Sequence, residues 1–513
     1  MIKKVSLILT TLLTMQSVFA SGEYVNDLRN LFLSNKAIIM AINLRTFNAK
    51  DLDNSGIIDE GEERGTFLNA IERLDELKQQ GVNVLHVLPI NPVGKLKALG
   101  TAGSVYSPFS LTEINPMLAD DKSTLSVEEQ AKKFVDECHR RGIRVIVDLP
   151  SCGSYDMYLE QPDLFVKDKS MAPVVPTDWT DVRLFDTGVD GDLNQKLYDI
   201  HVKYIDLVLG LGFDGIRADV ATIKPSEFWK NLISYTREKD SNFLFLAEAS
   251  DSWREPPSEF AVFTPYDKLL SVGFDGYYGS YFNIKDWSKA SDLINHVNFN
   301  KKILAGFSEP KSVIGSFTTH DELSPILIKG EKLSNMIIWL NTTLPLNSYY
   351  VDGFQSGADY VYFWGNKKAP VTYTDDDYYF VHRGKFDLFN YSARPKGTKD
   401  NIGVNFEIAN KYKKTFSQIF SKGTFVPIST SEDSVFAYAR SYGDTAVLVI
   451  GNLDFKNGKM KVKIEVPKLN AAHSLTVLKG SSGYGTLSRR KDKIIMDIPS
   501  GDIQVYLINN LSL

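Results

Sequence analysis

Two cysteines in 513 residues, Cys138 and Cys152, are too few for a disulfide scaffold, and no Cys/His cluster has the spacing of a zinc site. An excess of basic residues is also missing. With 58 Lys+Arg against 63 Asp+Glu the net charge is −5, which gives nucleic acid and other polyanions little to bind. No glycine-rich loop stands in a strand–helix context suited to a nucleotide. After the first twenty residues no apolar run reaches the roughly 18 residues that a membrane span requires. Repeats and low-complexity tracts are absent as well.

What is present begins with the N-terminus. Lys3 and Lys4 precede an apolar run from about Val5 to Phe19, with small residues at Val18 and Ala20. This pattern predicts a secretory leader over 1–20, cut after Ala20, and therefore a periplasmic or extracellular mature chain. Cys138 falls mid-helix and Cys152 just past the following strand, at the opposite pole of the expected fold, so both are expected to be free. Aromatics make up 12% of the chain, including 24 Tyr. Such rings suit core packing, and they also suit the apolar C–H faces of sugars.

From about residue 38, short β-rich runs alternate with amphipathic helical segments, the pattern of βα units around a parallel sheet. The runs fall near 38–45, 82–89, 143–150, 213–220, 243–248, 274–279, 312–317 and 347–353. Eight of them, each separated by enough chain for a helix, predict a (β/α)8 TIM barrel. One helix is expected over 67–80, with Leu68, Ile71, Leu74 and Leu77 facing inward and Gly81 as its stop. Another should start at the capping box Ser126–Glu129 and bury Ala131, Phe134, Val135 and Cys138. The expected boundaries are a barrel over 21–150 and 192–425, an inserted lid over 151–191 after the third strand, and an antiparallel β-sandwich over 426–513. Residues 354–425 have no assignable pattern.

Acids stand at three strand ends: Asp219 in FDGIRAD, Glu248 in FLFLAE and Asp321 in SFTTHD. Barrel enzymes collect catalytic groups at the C-terminal ends of their strands. In an extended strand Arg217 and Asp219 point the same way, so the guanidinium is expected to lower the Asp219 pKa and keep it ionised. The pair is either a structural ion pair inside the barrel or a nucleophile with its orienting cation. Glu248 ends an uncharged run, where partial burial raises a carboxyl toward the pKa of a general acid; a strand-end glutamate facing solvent reads the same in sequence. His320 and Asp321 are either sugar-binding groups or the polar start of a loop.

Taken together, the order strand-D (Asp148), strand-RxD, strand-E, strand-HD resembles the α-amylase superfamily, glycoside hydrolase family 13. GSVYSPFSLTEINP (103–116) is similar to that family's tyrosine-bearing segment, and GDLNQKLYD (191–199) to its DLN segment. The likeness extends over roughly 35–510. It implies Asp219 as nucleophile, Glu248 as acid/base and Asp321 as stabiliser of the oxocarbenium-like transition state. It further implies that Arg217 orients Asp219, that His320 contacts sugar hydroxyls, that Asp148 supports the cluster and that Tyr106 stacks under the sugar. The implied reaction is retaining hydrolysis of α-glucans or malto-oligosaccharides. Transglycosylation through the same intermediate is the alternative, and a silent carbohydrate-binding barrel is a reading of another class. No residue sets the oligomeric state.

Two departures stand out. Where the family has Asn-His after its third strand, this chain has Cys152-Gly153, and the family's Lys-His after the nucleophile is replaced by Thr222-Ile223. The missing Asn is commonly a calcium ligand, which makes that calcium site an unexpected one here. A second metal signal replaces it. Asp51-Leu52-Asp53-Asn54-Ser55-Gly56-Ile57-Ile58-Asp59-Glu60-Gly61-Glu62 fits the calcium-loop template, with donors Asp51, Asp53, Ser55, Ile57 (carbonyl), Asp59 and Glu62 and glycine at position 6. Exo-acting relatives carry a similar loop after their first strand. A structural Ca2+ is therefore expected. Of the remaining histidines, His86 reads as a packed core residue, and His139 and His201 as surface residues.

Overall fold

A computed structural model describes residues 24–176, 179–188, 192–358, 387–394, 397, 399–472, 474–479, 488–490 and 492–513. The expected leader over 1–20 lies outside them. The strands of the first 351 residues are β1 (Ile38–Ile42), β2 (Val84–Val87), β3 (Arg144–Leu149), β4 (Cys152–Ser154), β5 (Val182–Leu184), β6 (Gly215–Ala218), β7 (Leu244–Ala247), β8 (Gly276–Tyr277), β9 (Ser312–Val313) and β10 (Ser348–Val351). All but β4 and β5 form one parallel sheet in the order β10-β1-β2-β3-β6-β7-β8-β9. A parallel bridge between Ile314 and Asn347 joins its ends, so the sheet closes into the expected barrel.

Alternation along the strands divides the core. Ile39, Ala41, Val84, Ile146, Leu244, Leu246 and Tyr349 fill the barrel interior, while Ile38, Met40, Ile42, Leu85, Val87, Val145 and Val147 pack against the helices. The helix Leu28–Leu33 inserts Leu28 and Phe32 into the interior cluster. Its fit is tight. A Cβ on Gly276 would stand 2.6 Å from the Phe32 ring and 2.8 Å from the Ser312 carbonyl oxygen, so only glycine suits β8 there.

The helix Val127–Arg140 starts at its capping box, Ser126 with Glu129, and buries the four residues expected. The segment 67–80 differs. It is helical over Phe67–Ala70 and Leu74–Gln79 with a 3-10 turn, Ile71–Arg73, between them, and its buried residues are Phe67, Ala70, Leu74 and Leu77. Leu74 and Leu77 face inward as expected, while in the first turn, which Thr66 caps reciprocally with Asn69, Phe67 and Ala70 are buried in place of Leu68 and Ile71. Gly81 ends it at φ 91°.

The insertion after β3 holds the antiparallel hairpin β4–β5 and the helix Tyr155–Glu160. The stretch without a readable pattern contains helices Asp400–Thr415 and Ser417–Lys422. Beyond them lie β11 (Thr424–Thr430), β12 (Val435–Tyr442), β13 (Thr445–Asn452), β14 (Lys459–Glu465), β15 (Ser474–Lys479), β16 (Ser488–Arg490), β17 (Lys493–Pro499) and β18 (Ile503–Asn509). Strand β11 pairs with β12 along most of its length and with β14 at Ser429 and Thr430, so it passes from one layer of the sandwich to the other. It begins at Thr424, two residues before the expected boundary. Pro427, a residue that argues against a strand, lies within it opposite Tyr438.

Cys138 and Cys152 are both buried and free, as expected. Two histidines are not at the surface. His201 is fully buried, its Nδ1 2.9 Å from the Leu197 carbonyl oxygen, and burial drives its pKa down to about 3. His139 is half-buried, bonded to Asp214 at 2.9 Å and stacked on Tyr24. Helical periodicity cannot distinguish a histidine facing solvent from one facing a neighbouring ring.

Candidate active site

Strand β3, the ends of β6 and β7 and the segment after β9 bring the sequence-predicted acids together. Asp148 and Arg217 are direct partners in the β3–β6 register, so their inward side chains meet. Arg217 is fully buried and is the hub of the site. Its Nη1 lies 2.9 Å from both Asp148 Oδ1 and Asp219 Oδ1, its Nη2 lies 2.7 Å from Glu248 Oε1, and its Nε donates to the Tyr278 hydroxyl at 3.1 Å. Three carboxylates on three strands thus share one planar cation.

Their surroundings set them apart. Burial opposes the charge on Asp148, but Arg217, His86 and His320 overcome it and hold that carboxyl at about 2. Burial pushes Glu248 up to about 8 against the pull of Arg217, with Asp219 and Asp321 adding to the rise. Burial also raises the Asp219 carboxyl, and Arg217 does not reverse this; the expected lowering is corrected by the loss of solvent in the barrel mouth. Asp219 nevertheless has donors for its charged form. Ser151 gives it Oγ at 2.6 Å and its backbone N–H at 3.1 Å, in addition to Arg217. Glu248 takes its second bond from the Val220 N–H at 2.7 Å. Burial thus raises both carboxyls, and Asp219 has the larger set of hydrogen-bond donors among the described residues.

Val220 has φ 34°, a left-handed conformation rare for a β-branched residue. It directs that N–H to Glu248, directly after the nucleophile candidate. Tyr106 is half-buried at the mouth, donating to Asp148 Oδ2 at 2.6 Å with His320 Nε2 at 3.0 Å from its hydroxyl. The Tyr106 and His320 rings lie parallel, centroids 5.6 Å apart. Asp321 Oδ2 is 3.4 Å from His320 Nε2, and its side chain is 44% exposed, so the third acid stands at the rim of the same cluster.

Several members were not singled out from sequence. His86, read as core, is indeed fully buried, yet its Nε2 lies 3.2 Å from Asp148 and its Nδ1 2.8 Å from the Tyr349 hydroxyl. Its phase along β2, inward like Val84, was the available signal. Ser151, Tyr278 and Tyr204, whose hydroxyl donates to the Asp148 carbonyl at 2.6 Å, carried none. Asn194 of the DLN segment caps the helix Gln195–Leu211. Thr222 and Ile223 are buried and face no open cleft.

The loop after β1 brings one ligand oxygen from each of Asp51, Asp53 and Glu62 within 4.8 Å of one another, the only such acidic group among the described residues. Asp59 is not in this group, and the Ser55 hydroxyl donates to the Ile57 carbonyl at 2.9 Å. Asn54 and Gly56, at φ 61° and 81°, make the sharp turn that the template requires of position 6.

No protein-family model matches the chain. The α-amylase MalA of Haloarcula japonica is 24% identical over 293 residues, covering 53% of this chain and 39% of its own. An α-1,4-glucan:maltose-1-phosphate maltosyltransferase of Mycolicibacterium smegmatis is 25% identical over 198 residues, 36% of this chain and 28% of its own. The chain therefore spans well under two thirds of the length of these curated relatives. In fold, the noncanonic maltogenic α-amylase AmyB of Thermotoga neapolitana superposes with a TM-score of 0.69 at 18% identity, over 95% of this chain and 100% of its own.

Removing the Tyr106 hydroxyl tests the cluster. Tyr106→Phe leaves a buried Asp148 oxygen short of a donor and should cost about 1–3 kcal/mol of stability, measured by denaturant unfolding. An unchanged midpoint would mean that the hydroxyl does not support Asp148. By sequence the chain is similar to an α-amylase and a maltosyltransferase, and by fold to a maltogenic α-amylase.

Proposed function

We propose that the protein is a retaining α-glycoside hydrolase acting on α-glucans or malto-oligosaccharides by double displacement. One observation carries this reading: a single buried guanidinium holds Asp219 and Glu248 side by side, in surroundings that push Glu248 up to about 8. A glycosidic oxygen needs a proton as it leaves, and the anomeric carbon needs a carboxylate on its other face. Asp219 attacks and forms a glycosyl–enzyme as Glu248 protonates the leaving oxygen. Glu248, now ionised, deprotonates the incoming acceptor, which displaces Asp219 and returns the original configuration. Asp321 at the rim binds ring hydroxyls, and Tyr106 with His320 lines the sugar's position.

Water as acceptor gives hydrolysis; a sugar hydroxyl gives transfer. The second reading has support in the relative named as a maltosyltransferase. Incubation with maltoheptaose separates these readings: shorter products alone mean hydrolysis, longer ones transfer. Asp219→Asn should lower turnover by about 10³-fold or more, since it removes the nucleophile outright. Because Glu248 must be protonated to act, kcat/KM should fall as pH rises through about 8. Turnover insensitive to Asp219→Asn would sink the enzyme reading and leave a sugar-binding barrel.

We further propose a structural Ca2+ on the loop after β1. Asp51, Asp53 and Glu62 supply hard carboxylate oxygens, the donor set calcium favours, and the ion would fix the loop without taking part in the chemistry. Chelation should lower the melting temperature and added Ca2+ restore it, the ion adding about 2.7 kcal/mol of unfolding free energy at a hundredfold excess over Kd. Asp53→Asn should abolish this response, and a melting temperature indifferent to chelator would remove the site.

Export after loss of residues 1–20 belongs to the same proposal, and rests on the basic, apolar and small-residue pattern that ends at Ala20. N-terminal sequencing of the exported chain should begin at Ser21; an uncleaved, cell-retained product would contradict it.

A further inference from the structure

Lys224 is a charged residue that the proposed chemistry does not use. It is 1% exposed, at the end of the short turn that follows Asp219. Burying an ammonium is expensive, and an apolar side chain of similar length would fill the space without that cost. The turn holding it is firmly tied. Thr264 donates through Oγ1 to the Lys224 carbonyl at 2.8 Å and through its N–H to the Thr222 carbonyl at 2.7 Å, while Trp229 Nε1 donates to the Ala221 carbonyl at 2.9 Å.

The ammonium points at the nucleophile's support. Lys224 Nζ donates to the Ser151 carbonyl at 3.1 Å, and Ser151 is the residue whose hydroxyl and N–H both reach Asp219 Oδ2. Ser151 sits between β3 and β4, and its neighbours on either side, Pro150 and Cys152, offer Asp219 no hydrogen bond among those described. Holding the Ser151 carbonyl fixes the orientation of that residue, and with it two of the three donors on the carboxylate.

We propose that Lys224 is a positioning residue for Asp219, clamping Ser151 so that its two donors aim the carboxylate and keep it ionised. This rests on the reading of Asp219 as nucleophile. The groups facing Lys224 are few. Asp219 comes from β6, the Cys152 thiol from β4, the His201 imidazole from the helix Gln195–Leu211, and the Trp229 ring, 5.8 Å from Nζ, from the helix Ser226–Lys239. Asp219 is the one carboxylate of that set. Burial lowers the Lys224 pKa to about 8, so the ammonium is charged below that pH, where an ionised Asp219 is needed.

A double-mutant cycle of Lys224→Met and Ser151→Ala tests the proposal, read by kcat, KM, the acid limb of the kcat/KM profile and thermal unfolding. Each single change should lower kcat about 10- to 100-fold with KM within about twofold, as expected when a reacting group is misaimed. Either change removes support for the anion, so Asp219 protonates more readily and the acid limb moves to higher pH. Since both act on one carboxylate, the double variant should be little worse than the poorer single. If Lys224→Met does not unfold cooperatively, Lys224→Gln, which keeps a donor and loses the charge, takes its place and should show the same shift of the acid limb. A folded Lys224 variant with wild-type kcat and acid limb, or losses that multiply in the double variant, overturns the proposal. If Asp219→Asn leaves turnover intact, or the wild-type protein turns over no α-glucan, the nucleophile reading itself fails and this proposal falls with it. Turnover that depends on Asp219 but ignores both other changes defeats the proposal alone.

Discussion

A single cation shared among three carboxylates governs the site. Arg217 satisfies Asp148, Asp219 and Glu248 at once inside a barrel that has little water to offer. One positive charge cannot balance three negative ones at low dielectric, so the cluster must retain a proton somewhere. Asp148 is excluded, because it has Tyr106 and His86 in addition to Arg217. The two donors of Ser151 favour the charged form of Asp219, whereas Glu248 has, among the described residues, only the Val220 N–H beyond Arg217, which makes it the favoured site for that proton. The unequal donor counts alone are enough to set the two neighbouring carboxyls apart.

That economy depends on the barrel. Direct pairing of Asp148 with Arg217 across β3 and β6 requires both strands to hold their register, and the packed interior of Ile39, Ile146, Leu244 and Leu246 below fixes it. The Leu28–Leu33 helix fills the interior further, its Phe32 against Gly276. The hydrophobic layers therefore set the geometry, and the polar cluster is imposed on it. A buried ion network left to itself would be a weak source of stability.

The sequence made legible whatever repeats or alternates. All eight barrel strands were readable because β-rich runs and helical stripes have different periods, and the capping box at Ser126 was local. The three acids were readable because strand ends are marked by the loss of apolar character. What stayed hidden depends on tertiary contacts: His86 under Asp148, Ser151 on Asp219, His201 among aromatic rings. Strand β11 carries Pro427, which lacks an N–H and lies opposite Tyr438, so its pattern in sequence is weaker than that of its neighbours. The direction of the Asp219 shift was misjudged for a related reason. The sequence places Arg217 beside it, but only the fold reveals how completely water is removed.

The two departures from the family pattern belong together in space. Cys152 is buried, and Gly153 is hemmed in by Phe165 and Phe185, whose rings would meet an added Cβ at 2.8 Å. No histidine fits at 153 while the hairpin β4–β5 is closed. On the facing turn Thr222 and Ile223 are buried and Lys224 bonds to Ser151, immediately before Cys152. Both departures thus lie in one packed wall behind Asp219, while Tyr106, His320 and Asp321 stand at the rim of the cluster. A wall of that kind gives its polar contacts to Ser151 and Asp219, and any sugar recognition on the proposed reading would fall to the rim.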